Sequence, residues 1–197
     1  MNENFKENLL IWAEHYTRCG LRLIPLPYKQ KRPAMAEWPV RASKNYDVAA
    51  DWIKNGYSLK SDGGKRLDTG GLGIATGEGS GVIVLDVDGT QGMESIAALE
   101  RQYGKLPCTP AQLTPGGGLH VFFKYWGKCK NHAGILSRTG LNGLDIRGDG
   151  GQVVAAPSIH PNGKPYKWGE KRGLDDLDIA ECPAWLRSLI EANSHDL

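Results

Sequence analysis

Residues 82–89 read Val-Ile-Val-Leu-Asp-Val-Asp-Gly, an apolar run that ends in two carboxylates one residue apart. The four apolar residues predict a buried strand, and the acids cap it. Side chains two apart on a strand project to the same side, so Asp86 and Asp88 emerge together at the strand's end. Such a pair repels itself unless a positive charge lies between its members. A divalent cation held by carboxylate oxygens is the usual solution in enzymes that move phosphoryl groups. The plainer reading is a strand closed by an Asp-Gly turn, both of them ordinary turn residues.

The surrounding chain narrows the choice. With 197 residues, 40% apolar and 23% charged, the sequence has the make-up of a soluble globular domain with room for two lobes. It contains no apolar run of membrane-spanning length, and its polar start, MNENFKEN, lacks the basic-then-apolar order of a secretion signal. A cytoplasmic protein with no membrane partner is therefore expected. Cysteines 19, 108, 129 and 182 form no CxxC pair, which predicts reduced thiols. Cys129 and His132 have C-x2-H spacing and Cys108 is available as a third ligand, but without a second close pair zinc is not expected. A formal charge of +2 is too small to announce nucleic acid, so any such binding must rest on a local patch.

Along the chain, Phe5, Leu9, Trp12, Ala13 and Tyr16 recur at helical spacing before Gly20, predicting an amphipathic opening helix. A strand is expected over 21–26, then a basic turn at Lys29-Gln30-Lys31-Arg32-Pro33, then a helix over 47–55 stopped by Gly56. The polar, Gly-rich segment 61–71 reads as a loop. Strands over 72–76 and 82–87 read as a hairpin turned by Gly77-Glu78-Gly79-Ser80-Gly81. A helix over 93–103 follows the acid pair. Strands are then expected over 111–114, 119–125, 144–147, 152–156 and 166–168, and Pro183 opens a last helix carrying Trp185, Leu186, Leu189 and Ile190. This order predicts an α+β domain rather than a doubly wound sheet.

A third carboxylate stands in Leu144-Asp145-Ile146-Arg147, where period two puts Asp145 and Arg147 on one face. A surface ion pair would need no function. If that strand lies beside the Asp86 strand, however, three acids converge, enough for the two divalent ions that in-line nucleotidyl transfer employs. Between them lies Thr114-Pro115-Gly116-Gly117-Gly118-Leu119-His120. Its glycines allow backbone N–H groups, those of Gly117 and Gly118 among them, to approach an anion, and a histidine directed at phosphate would complete a triphosphate site. Ser158 and His160, in Pro157-Ser158-Ile159-His160-Pro161-Asn162-Gly163, form a second polar turn that reads equally as structure or as site contact.

Taken in order, these motifs resemble the prim-pol family of bifunctional DNA primase/polymerase domains from plasmid and phage replication proteins, in the archaeo-eukaryotic primase superfamily. Asp86-Val87-Asp88, Gly118-Leu119-His120 and Asp145 match its acid pair, its small-x-His motif and its later aspartate. The resemblance runs from about residue 10 to about 170. Ile24-Pro25-Leu26 leading to Lys31-Arg32-Pro33 and Trp38, and the turn ending in Tyr166 and Trp168, are similar too. The resemblance implies an RRM-like catalytic sheet packed with an N-terminal αβ unit. It implies Asp86, Asp88 and Asp145 as catalytic ligands of two Mg²⁺ or Mn²⁺ ions, and His120 as a contact of the incoming triphosphate. The expected substrates are NTPs or dNTPs on a single-stranded DNA template. Arg147 and Lys31 are added as phosphate partners on position and charge. The catalytic domain is expected to occupy 1–175, and the helix in 176–197 to lead toward a helicase or accessory region supplied in cis or in trans.

Two rivals share these residues. Asp86-Val87-Asp88-Gly89-Thr90 also reads as the DxDGT motif of haloacid dehalogenase-type phosphatases, with Asp86 the nucleophile and Asp88 the general acid. That family needs alternating βαβ units, whereas a β-rich stretch follows here. The second rival is a non-catalytic single-strand-binding module using Phe122, Tyr125, Trp126 and nearby Lys124, Lys128, Lys130 and Arg138. Three converging carboxylates argue against a surface made only for a polyanion.

Overall fold

A computed structural model describes residues 3–194 and divides them into two compact units, one formed by the chain up to Ala75 with Gln152–Lys167, the other by Thr76–Gly151 with the chain from Trp168 onward.

In the first unit, α1 (Glu3–Arg18) turns Leu9, Ala13 and Tyr16 inward at helical spacing, and Gly20 follows with φ +77°. β1 (Arg22–Leu26) leads through a four-residue helix, α2 (Trp38–Arg41), to α3 (Tyr46–Asn55). Asn45 caps α3 by accepting the Asp47 N–H at 2.8 Å, and Gly56, with φ +75°, ends it. β4 (Gly71–Ala75) is buried throughout and pairs antiparallel with β1 on one side and β9 (Gln152–Ala155) on the other. The segment 61–71, expected as a loop, instead contributes to a two-stranded ribbon of β2 (Tyr57–Lys60) and β3 (Gly63–Leu67). Its middle residues face solvent on both sides, so it has no apolar alternation to read; Ser61 and Asp62 make its tight turn, and Gly63 and Gly64 open β3 with φ near +100°, which glycine permits.

The second unit is built on a five-stranded sheet in the order β10-β6-β7-β5-β8. Here β5 is Val82–Val87, β6 is Ala111–Leu113, β7 is Leu119–Lys124, β8 is Leu144–Arg147 and β10 is Lys167–Trp168. The expected hairpin between 72–76 and 82–87 does not form. β4 and β5 belong to different sheets, and Glu78–Ser80 is a single 3₁₀ turn held by one bridge, Gly77 to Val82. Each strand finds its partners far along the chain, which a local Gly-rich signal does not report. One face of the second sheet sends Ile83, Leu85, Val87, Val121, Phe123, Leu144 and Ile146 into a common core. Against that core pack Ile96 and Leu99 of α4 (Gly89–Tyr103) and Leu186 and Ile190 of α5 (Ala184–Asn193). Period two therefore leaves Asp86, His120 and Asp145 on the opposite face. The chain is α+β with antiparallel sheets, as expected. No described helix is long and apolar enough to cross a membrane.

Candidate active site

β5 lies between β7 and β8 and is antiparallel to both, with Asp86 opposite His120 on one side and opposite Asp145 on the other. β6 extends the same row by placing Gln112 opposite His120. Four adjacent strands thus carry Gln112, His120, Asp86 and Asp145 in one line across a sheet whose reverse face is apolar. Asp88 follows β5 at the N-cap of α4, where the positive end of the helix dipole favours a carboxylate. Its backbone N–H donates to the Gly143 carbonyl at 2.8 Å, tying the start of α4 to the turn that leads into β8.

Oxygens of Asp86, Asp88 and Asp145 all lie within 4.8 Å of one another, in a group able to hold a metal ion. Asp86 is buried, Asp145 half-buried and Asp88 exposed, so the cluster opens at the Asp88 end. Asp86 is a buried charge with charged company. Arg147 donates to its Oδ2 from Nε at 3.1 Å and from the guanidinium NH2 at 2.9 Å. The same NH2 nitrogen donates to Asp145 Oδ2 at 2.6 Å, and the Gly134 N–H donates to Asp145 Oδ1 at 2.6 Å. His120 Nε2 stands 3.5 Å from Asp86 Oδ1, and its Nδ1 lies 2.9 Å from Gln112 Nε2. Removing a single partner from so enclosed a charge cluster costs more than the cluster's net contribution to stability.

The expected convergence of Asp86, Asp88, Asp145, His120 and Arg147 is what the structure displays. Gln112 was missing from the sequence reading; its signal was a lone amide at an inward position of a three-residue strand. The glycines act differently from expectation. The Gly117 N–H is donated to the Thr114 carbonyl and the Gly118 N–H to Thr114 Oγ1, so both amides close the β6–β7 turn instead of facing an anion. Gly118 serves close approach: a Cβ there would run into the Val87 carbonyl oxygen. The remaining proposed contacts belong to the first unit. Ser158 is 2% exposed; its hydroxyl donates to the Leu72 carbonyl and accepts the Leu72 N–H, which corrects the reading of it as a nucleotide contact. His160 Nδ1 accepts the Asn162 N–H at 3.1 Å within its turn. Lys31 is exposed and offers its carbonyl to Gln152 Nε2 at 2.8 Å.

Of the cysteines considered for zinc, Cys129 is buried, and that burial pushes its thiol up to about 12. Cys108 is exposed. The phosphatase reading fails on topology, because the Asp86 strand is antiparallel to both neighbours and not part of a βαβ unit.

The family model described as "Bifunctional DNA primase/polymerase, N-terminal" matches residues 13–185, most of the chain. No curated protein is significantly similar to it.

Proposed function

Because the chain belongs to the bifunctional DNA primase/polymerase family, and so to a group whose activity is nucleotidyl transfer on nucleic acid, we propose that the Asp86 cluster carries out template-directed DNA synthesis. It would use NTPs or dNTPs, release pyrophosphate and serve replication of the phage or plasmid type. In this reading the helix-backed antiparallel sheet of the second unit is the family's RRM-like catalytic sheet, and the first unit is its N-terminal αβ part. A helicase or accessory region, in cis or in trans, would present the single-stranded template.

The observation that carries the reading is the direct pairing of Asp86 with Asp145 beside Asp88. Three carboxylates with hard oxygen donors suit Mg²⁺ or Mn²⁺, so the residues present fit the ions the family implies. When bound to these acids, two such ions would lower the pKa of the attacking hydroxyl and neutralise the departing pyrophosphate. The chain's own groups do the rest. Asp86 and Asp145, fixed by adjacent strands, are pre-positioned by the sheet and need no loop closure to meet. Arg147, with a planar fork already directed into the cluster, is suited to pair with phosphate oxygens as they arrive. His120 faces the same space and would hold the triphosphate. Gly118 lets the β6–β7 turn lie close over Val87, shaping the floor.

Incubation with single-stranded template, labelled nucleotides and Mg²⁺ or Mn²⁺ is expected to yield oligonucleotides, and Asp86→Ala to abolish them. Persistent synthesis in that variant would refute the assignment of the site. Lys31→Ala and His160→Ala test separately whether those residues contact nucleotide, through a rise in KM.

A further inference from the structure

We propose that Gln112 is a positioning residue that holds the imidazole of His120 with its Nε2–H directed at the acid cluster; the inference rests on the reading of His120 as a triphosphate contact. Gln112 is 0% exposed and stands opposite His120 in the β6–β7 register, as His120 stands opposite Asp86. Its amide nitrogen lies 2.9 Å from His120 Nδ1. A primary amide nitrogen only donates, so Nδ1 is the acceptor, and a neutral ring accepting there carries its proton on Nε2. Nε2 is the atom 3.5 Å from Asp86 Oδ1, on the side where phosphate oxygens would enter.

The choice of tautomer matters chemically. An Nε2–H donates to a phosphate oxygen, whereas the alternative tautomer turns a lone pair toward an anion. A carboxylate in place of the amide would accept from Nδ1–H and impose that unfavourable form unless the ring took a second proton. A neutral donor is thus the side chain that prepares a neutral histidine to meet a triphosphate. The enclosed setting makes the arrangement durable, since a fully buried amide loses free energy unless it is hydrogen-bonded.

Long-range proton–nitrogen NMR of the ¹⁵N-labelled full chain near neutral pH reads the tautomer directly, with His120→Ala identifying the signal. The wild-type ring is expected as the Nε2–H form; an Nδ1–H pattern would overturn the proposal without any variant being made. Gln112→Met, close in volume, is expected to give mixed tautomers and to raise KM for the incoming nucleotide about tenfold with kcat changed far less, as for one lost hydrogen bond. Gln112→Glu should reverse the tautomer preference. An unaltered His120 signal and KM in Gln112→Met would also overturn the idea. If His120→Ala leaves KM unchanged, the triphosphate reading is what fails, and the NMR result still decides the role of Gln112.

Discussion

Two interior strands, β4 in the first unit and β5 in the second, are both buried end to end, yet they deal with polarity in opposite ways. Beside β4 the buried polar side chain is Ser158, and both functions of its hydroxyl are taken by the backbone of Leu72. On β5 the buried polar side chain is Asp86, whose partners are other side chains, Arg147 and His120. Hydrogen bonds to backbone lock a fold and are unavailable for anything else. Bonds among side chains can be exchanged for bonds to a ligand, because a rotamer change releases them. The first arrangement builds a scaffold, the second a site.

The largest effect that would break this comparison is on activity. Asp145→Asn keeps the shape and removes one charge from the acid cluster, and it should lower nucleotide incorporation by about a thousandfold or more, given what hard-cation ligation contributes to such transfers. Ser158→Ala should leave incorporation intact below the melting temperature and cost about 2 kcal/mol of stability, since it strands a buried backbone N–H and carbonyl. Denaturant melts and primer-extension rates on both variants check the pair. Ser158→Ala with lost activity at unchanged stability would place Ser158 in the site after all.

Arg147 sharpens the contrast further. It spans Asp86 and Asp145 as a built-in cation, so Arg147→Gln leaves the acids facing one another without the cation that joins them. The variant is expected to melt lower without divalent ions and to gain a few degrees more than the native chain from saturating Mn²⁺, because an added ion then relieves repulsion that Arg147 otherwise offsets. Thermal melts with and without Mn²⁺ measure this. An equal rise in both proteins would mean that Arg147 and the ion do not compete for the acids.

These groups differ in how far the sequence announces them. Asp86, Asp88 and Asp145 interrupt apolar runs at period two, and a charge in such a place is conspicuous because it is expensive. α1, α3 and α5 show helical spacing with Gly or Pro at their ends, so local signals suffice. Gln112 carries no charge and sits in a strand of three residues; its meaning comes from the register with β7, which is set by the whole sheet. The β2–β3 ribbon is invisible for a different reason, since a strand wet on both faces has no hydrophobic period. The Gly-rich 77–81 segment misleads because turn chemistry says that a chain reverses, not which strands then pair.

The smallest expected effects come from two tyrosines, one per unit. Burial pushes the phenol of Tyr57 up to about 12, and partial burial together with the neighbouring Asp149 carboxylate pushes that of Tyr125 up to about 12, so their hydroxyls are placed differently. Tyr125 donates to Asp149 Oδ2 at 2.9 Å, whereas the buried Tyr57 hydroxyl has no hydrogen-bond partner among the described residues. In each case the unfolded phenol ionises near pH 10 and the folded one higher. The stability this contributes is complete below pH 10 and is lost as pH climbs from 10 toward 12. Tyr125→Phe should cost about 1.5 kcal/mol at pH 7 by removing a bond to a carboxylate. Tyr57→Phe should be neutral or stabilising by up to about 1 kcal/mol, because it deletes a polar group that burial strips of water without giving it a partner. It should also flatten the alkaline fall in stability. Calorimetry of the two variants between pH 7 and about pH 11 separates a hydroxyl the fold uses from one it merely encloses. A loss above about 1 kcal/mol in Tyr57→Phe would show that this hydroxyl, too, is bound in the native protein.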